Sequence, residues 1–290
     1  MSRVSLMLLL SIVTFETGTL PAAEPKSPPI LFVMENSFLT PLAFVTDRKL
    51  TSLPDDLDPK QFSASYLSGH HRYTLFSGGR VSGSVEAAED LAEVDGCDRL
   101  SVKAVATVDG KVVGTGTALA SNAPLRDLDY TRRPTNDVEA AALSSLAAQV
   151  YAEHGVPAAR AAKAKSTNLT AIEGRAGAVL VGSFILEHQA KPDDGPIVEA
   201  VFIIAERNAT GAFAAGYSWF HSGSEASVEK QSFFDVIDVT GSGFPDVVTD
   251  IGYYESNDYH MYRKTAGKWG EIYKSQAGML SCGAAVRVTN

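Results

Sequence analysis

Short segments in which apolar and polar residues alternate, separated by glycine, proline or aspartate, run through most of this chain. A period of two residues is typical of β-strands that bury one face. Residues 73–76 and 81–85 flank the pair Gly78 and Gly79, which predicts a hairpin with a glycine turn.

A second hairpin is predicted around Asp109 and Gly110, which separate the alternating residues 100–108 from residues 112–119. Asp-Gly is a strong hairpin signal, because both positions of the favoured two-residue turn need a positive φ. These segments predict four strands and at least one sheet, while the pattern leaves the pairing of the strands open.

One segment carries clear helix signals. Asn136 and Glu139 have the spacing of a capping box, and Gly155 followed by Pro157 predicts the end of the helix. Residues 157–165 are predicted to form a basic linker rather than a second short helix. The apolar residues at four-residue spacing, which predict the buried stripe, are Val138, Ala142, Leu146 and Val150. The chain is therefore predicted to be mainly β (α+β), with antiparallel sheets around one well-defined helix.

The chain begins with a segment that is typical of a secretory signal peptide. Arg3 precedes an apolar run at residues 4–15, and small residues lead to Ala23. The run is shorter than the roughly 20 apolar residues that span a bilayer. We expect cleavage after residue 23 and a secreted or periplasmic protein, the alternatives being an uncleaved anchor or a buried strand. The net charge of −9 argues against nucleic acid and anionic lipid as partners.

The two cysteines, Cys97 and Cys282, are predicted to form a disulfide, because an even pair in an oxidising compartment is most simply bridged. The alternative is two separate buried thiols. A bridge over this long loop would stabilise the fold by at most about 5 kcal/mol.

The stretch from Asp238 to Asp246 could bind a cation. Alternate side chains offer oxygen atoms, and Gly241 and Gly243 allow a tight curl. With two carboxylates, any calcium site here is expected to be weak, with Kd on the order of 10⁻⁴–10⁻³ M. The alternative is an ion-free turn held by the hydroxyls of Thr240 and Ser242. The predicted ligands are the side chains of Asp238, Thr240, Ser242 and Asp246 and the carbonyl oxygen of Phe244.

This stretch and the strands after it resemble a repeat of the FG-GAP/VCBS type, found in propellers like those of integrin α-chains. The matching residues are Asp238, Gly241, Gly243, Asp246, Val247 and Val248, whereas Thr240 and Ser242 stand where the family usually has carboxylates. The resemblance implies propeller-blade-like repeats and calcium. Residues 178–217 and 246–273 both read as strand, loop, strand, glycine turn and aromatic strand, which is a weak internal repeat or a chance similarity between hairpins.

The sequence therefore predicts a leader at residues 1–23, a β-rich region at 24–134, a helix and linker at 135–164, and an FG-GAP/VCBS-like β region at 165–290. Two repeats are too few to close a propeller, so we expect the sheets to pack on each other or on residues 70–120.

Templates for catalysis are absent from the sequence, including Gly-x-Ser-x-Gly and His-Glu-x-x-His. Asp193 with Asp194, or Glu255 with Asp258, could form an acid–base pair, but their pattern is more typical of loops.

The expected function is a non-catalytic binding or interaction module for an extracellular protein or glycan. The alternative is an extracytoplasmic hydrolase acting on glycans or peptides. Aromatic residues that suggest carbohydrate binding, or more simply packing between strands, are Trp219, Tyr253, Tyr254, Tyr259, Tyr262, Trp269 and Tyr273.

Overall fold

The computed structural model describes residues 27–35, 37–54, 56–91, 103–109, 118–175, 177–189, 195–253 and 257–275. The predicted leader and both cysteines, Cys97 and Cys282, lie outside these residues. The described chain is mostly β with antiparallel sheets and a few helices, so the predicted fold class is confirmed at that level. A six-stranded barrel is present, whereas a propeller is not shown. None of the described helices is long and apolar enough to cross a membrane.

The first half of the chain forms the barrel. Its strands pair in the order β1-β7-β4-β5-β6-β2, and β2 pairs back onto β1 to close the ring. A short strand, β3 (Lys49–Thr51), extends from β2. Helix α1 (Pro59–Tyr66) packs Phe62 and Tyr66 into the same core as Phe32 and Val85 of the barrel. The barrel strands are β1 (Ile30–Glu35), β2 (Phe38–Thr46), β4 (Arg72–Ser77), β5 (Arg80–Leu91), β6 (Lys103–Asp109) and β7 (Ala118–Ser121).

The two predicted hairpins have different outcomes. Strands β4 and β5 form the first hairpin, and Gly78 and Gly79 at its turn have φ values of +61° and +77°. The second hairpin stays a prediction, and of its second strand only residues 118 and 119 are described, in β7, which pairs with β1 and β4. Its turn at Gly110 and residues 111–117 lie outside the described residues.

The second half of the chain forms two antiparallel sheets. The five-stranded sheet has the order β12-β11-β10-β9-β8, and the four-stranded sheet runs β13-β14-β15-β16. The two segments of similar pattern, residues 178–217 and 246–273, correspond to β10–β12 and to β14–β16, and each is a meander of three consecutive strands. The strands are β8 (Tyr130–Pro134), β9 (Lys165–Gly174), β10 (Gly177–Gln189), β11 (Pro196–Arg207), β12 (Phe213–Ser224), β13 (Lys230–Ile237), β14 (Asp246–Gly252), β15 (Asn257–Thr265) and β16 (Lys268–Lys274).

Helix α2 (Asp137–Glu153) begins at the predicted capping box. The Asn136 side chain accepts a hydrogen bond from the Glu139 amide at 3.0 Å, and the Glu139 carboxylate accepts one from the Asn136 amide at 3.0 Å. Gly155 follows the helix with φ +77°. The predicted linker contains a one-turn helix, α3 (Ala158–Ala161).

The predicted buried stripe of α2 is partly wrong. Leu146 and Val150 are buried as predicted, whereas Val138 is 70% exposed, and Leu143, Ala147 and Tyr151 are buried beside them. In the first turn the inward position belongs to Glu139, whose carboxylate serves the cap and also accepts two hydrogen bonds from Arg133, at 2.7 and 2.8 Å. The capping network therefore sets the rotation of the helix about its axis.

The layers follow in the order barrel, four-stranded sheet, five-stranded sheet and α2. One face of the four-stranded sheet packs Phe234 and Met261 against the outside of the barrel. Its other face packs Val247 and Tyr262 against the five-stranded sheet. The far face of the five-stranded sheet packs against α2. The sheets thus pack both on each other and on the barrel.

Candidate functional site

The loop between β13 and β14 is closed by Asp238, which is 1% exposed. One carboxylate oxygen of Asp238 accepts hydrogen bonds from the Ser242 amide at 3.0 Å and from the Thr240 hydroxyl at 3.2 Å. The other oxygen accepts a hydrogen bond from the Gly243 amide at 2.7 Å. Gly241 and Gly243 have φ values of +69° and +79°, which a side chain would strain. The hydrogen bonds that Asp238 accepts therefore fix the conformation of the turn.

The second carboxylate of the predicted site, Asp246, is equally buried and binds Arg263 of β15. Arg263 Nε lies 2.6 Å from Asp246 Oδ1, and Nη2 lies 2.7 Å from Oδ2. The Val239 amide donates a further hydrogen bond to Oδ2 at 3.1 Å. Burial raises the pKa of Asp246 and Arg263 opposes that effect, while the hydrogen bonds to Asp246 raise the pKa of Arg263.

The donors around these carboxylates do not fit a calcium ion. Calcium needs oxygen lone pairs that are free to point at it. Those of Asp238 face N–H and O–H donors, and those of Asp246 face a guanidinium that already supplies the positive charge. The Ser242 hydroxyl accepts a hydrogen bond from the Phe244 amide at 3.2 Å, and the Phe244 side chain is 57% exposed. Calcium at this loop stays a prediction that the local geometry does not favour.

A groove of about 450 Å³ lies between this loop and the barrel. Its apolar lining comes from Pro28, Pro29, Val45 and Leu125. Thr240 and Gly241 form the opposite wall. The volume falls in the range of small-ligand sites.

Two arginines line the groove and provide its charge. Arg48 and Arg126 are exposed, and neither makes an ion pair with a described residue. The guanidinium carbon of Arg48 lies 4.0 Å from the point where a Cβ on Gly241 would lie. Since Asp238 is already hydrogen-bonded by the loop, Asp47 is the lining carboxylate that remains free to oppose these two positive charges. A guanidinium binds a carboxylate or phosphate through two parallel hydrogen bonds, so the groove is suited to an acidic group.

Backbone strain accompanies the position of Arg48. Asp47 and Arg48 form the turn between β2 and β3 with φ values of +51° and +60°. Asparagine, aspartate and glycine are the residues that this two-residue hairpin turn favours, so Asp47 suits its position, whereas the conformation costs Arg48 about 1 kcal/mol.

A smaller cavity of about 160 Å³ lies on the other side of the loop, at the edge of the two packed sheets. Phe244 and Trp269 line it together with Glu206 and Lys264, whose side chains form an ion pair between β11 and β15. The exposed Phe244 ring therefore contributes to this cavity rather than to the predicted cation site.

The structure also brings together three carboxylates that sequence reasoning did not group. The pKa of Asp250 is raised to about 7, mainly by burial and further by the negative charges of Glu35 and Asp258. Burial raises the pKa of Glu35 and of Asp258 as well, and the hydroxyls of Tyr259 and Tyr253 donate hydrogen bonds to them. Of the carboxylates singled out in the sequence, Asp258 belongs to this cluster, whereas Asp193, Asp194 and Glu255 lie outside the described residues.

The aromatic residues are mostly packing residues. Tyr259, Tyr262, Trp269 and Tyr273 are buried between the layers. Trp219 is partly exposed on β12. His260 is buried and lies 2.7 Å from Glu271, and burial lowers its pKa. No group of three or more His, Cys, Asp or Glu side chains in the described part of the chain could hold a metal ion.

Comparison with known proteins gives no assignment: no family model, curated protein or solved structure matches the chain.

Proposed function

We propose that this chain is an extracytoplasmic, non-catalytic binding protein, and that the groove between the barrel and the Asp238 loop receives an acidic group of its ligand. The proposal rests on Arg48 and Arg126. Both are exposed beside an apolar wall, and neither has an ion-pair partner among the described residues. An acidic group on an otherwise apolar or neutral ligand would satisfy both features. The partner would be an extracellular protein or a glycan that carries carboxylates.

The location of the protein is part of the proposal and rests on the sequence. The segment at residues 1–23 is typical of a signal peptide, and export would allow a Cys97–Cys282 disulfide. Non-reducing digestion followed by mass spectrometry tests the bridge. The relation to FG-GAP/VCBS repeats likewise rests on the residues around Asp238 and Asp246; the four-stranded meander β13–β16 is consistent with it.

Titration calorimetry with two matched pairs of probes tests the groove. Glucuronate is compared with glucose, and N-acetylglutamate with N-acetylglutamine, so that each pair differs in its carboxylate. We expect heat of binding for at least one acidic probe and none for its neutral partner. A hydrogen bond to a charged group contributes about 1.5–3 kcal/mol, so Arg48→Gln or Arg126→Gln should weaken binding about tenfold or more.

The control is Arg175→Gln, which changes an exposed arginine that does not line the groove. It should leave the affinity unchanged. Equal binding of acidic and neutral probes, or binding that survives both groove substitutions, would contradict the proposal.

A second candidate, a hydrolase acting on glycans or peptides, is favoured by one observation. Asp250, with a pKa of about 7, lies near Glu35 and Asp258, and a raised pKa is typical of a general acid beside a second carboxylate. Turnover of a glycan or peptide by the purified protein, lost in Asp250→Asn, would support this function in place of simple binding. Absence of turnover on both substrate classes would remove it.

A further inference from the structure

Strand β12 (Phe213–Ser224) lies at the edge of the five-stranded sheet and pairs with β11 alone among the described strands. Its twelve residues make it about 40 Å long. The backbone N–H and C=O groups along its outer side can therefore accept another strand.

This edge lacks two of the features that usually prevent strand pairing. Proteins protect free edges with charged side chains, proline or β-bulges, and of these β12 carries a bulge at Gly216, where Ile204 pairs with Tyr217 and Ala205 with Ala215. Strand β12 contains no lysine, arginine, aspartate, glutamate or proline. The other free edges in the described part of the chain all carry such residues: Arg132, Arg133 and Pro134 on β8, Lys230 and Asp235 on β13, Lys268, Glu271 and Lys274 on β16, and Lys49 on β3.

The side chains of β12 resemble those of a protein interface. Phe213, Tyr217, Trp219 and Phe220 pack partly against the chain's own cores and keep the rest of their surface exposed, and no residue of the strand is fully buried. Aromatic residues are enriched where proteins associate, whereas charged residues are depleted there. The edge thus combines free hydrogen-bonding groups with large apolar side chains.

The charges at the two ends of β12 favour a second copy in antiparallel orientation. Arg207, the last residue of β11, lies opposite Phe213 at the start of β12, donates a hydrogen bond to the Gly211 carbonyl at 2.6 Å and stacks on Phe213. Glu225 is exposed directly after the last residue of the strand. An antiparallel pair brings the Arg207 end of one copy beside the Glu225 end of the other, whereas a parallel pair brings like charges together.

We propose that two copies of this chain pair through β12, antiparallel about a two-fold axis, and join their five-stranded sheets into one sheet of ten strands. Such an interface is self-complementary and closes after two copies. The midpoint of β12 falls between Ser218 and Trp219, so these residues flank the axis when the strands overlap fully.

Sedimentation equilibrium over a concentration series tests the dimer. We expect the unsubstituted protein to reach twice the mass of one chain. Ser218→Lys places two like charges near the axis and should restore the monomer mass, while circular dichroism stays unchanged because Ser218 is exposed. The matched control is Ser166→Lys, the same change at an exposed position of β9 inside the same sheet, which should leave the dimer intact.

A charge exchange tests the orientation. Arg207→Glu alone and Glu225→Arg alone should each weaken the dimer at least threefold, and the double variant should regain most of the lost affinity. A monomer at all concentrations, or a dimer that survives Ser218→Lys, overturns the proposal. Protection of the outward-facing β12 amides, those that do not bond to β11, from hydrogen exchange in a monomer also overturns it, because another part of the same chain then covers the edge.

Discussion

Arg263 of β15 donates two hydrogen bonds to the buried carboxylate of Asp246, and this pair fixes the start of β14 to its neighbouring strand. The Val239 amide donates to the same carboxylate, so the pair also holds the loop after β13. A guanidinium thus binds one of the two carboxylates that were predicted to bind a cation.

Removing Arg263 should destabilise the protein strongly. Arg263→Ala leaves Asp246 buried without its positive partner, and we expect a loss of about 3 kcal/mol in the free energy of unfolding. Urea unfolding measures the change. The control is Arg175→Ala, since Arg175 is 91% exposed and its ion pair with Asp129 lies at the surface. That substitution should cost less than about 1 kcal/mol, and equal losses would contradict the structural role of Asp246.

Calcium should have no effect on stability at this loop. We expect the same unfolding temperature in millimolar calcium and in chelator, because the oxygens of Asp238 and Asp246 already accept hydrogen bonds. Asp238→Asn should lose about 1–2 kcal/mol with or without calcium, since it weakens the bonds that close the turn. The predicted calcium site would be supported if the unfolding temperature of the unsubstituted protein, but not of Asp238→Asn, rose with calcium and fell with chelator.

Stability should fall as the pH rises from about 4 to about 7. The folded pKa of Asp250 is about 7, above its value of 3.8 in an unfolded chain, so the folded state holds its proton more tightly. The stabilisation is complete below the unfolded pKa and is lost as the pH passes through the folded pKa. Asp235, whose pKa burial raises to about 6, contributes in the same direction.

Urea unfolding at several pH values measures this dependence. Asp250→Asn keeps a neutral side chain at every pH and should flatten the decline, whereas Asp56→Asn changes an exposed carboxylate outside the cluster and should not. A profile for Asp250→Asn that matches the unsubstituted protein would show that the cluster is not protonated in the fold.

The two ends of the predicted stripe on α2 should respond differently to the same substitution. Val150→Ala removes buried methyl groups and should cost roughly 1–2 kcal/mol. Val138→Ala changes an exposed residue and should stay within about 0.5 kcal/mol. Thermal unfolding distinguishes the two, and equal costs would place Val138 in the core.

Features that depend on neighbours in sequence could be predicted. The capping box joins residues three positions apart, and the β4–β5 turn is fixed by its own glycines. The Asp246–Arg263 pair could also be predicted by anyone who predicts the register of β14 on β15. In that register Val247 lies opposite Tyr262, which brings Arg263 near Asp246.

Features that join distant segments could not be predicted. The pairing of β1 with β7 places Leu31 opposite Ser121, and no local pattern at either residue indicates the other. The carboxylate cluster gathers Glu35 from the barrel with Asp250 and Asp258 from the four-stranded sheet. Its raised pKa values exist only once those layers have packed together.

The position of the four-stranded sheet between two apolar surfaces has a consequence for how the chain acquires its structure. Residues 230–274 cover the outside of the barrel and one face of the five-stranded sheet, yet they follow both units in the chain. Both earlier units therefore keep an apolar surface exposed to water until residues 230–274 have been synthesised and have packed. A chain halted before β13 should aggregate.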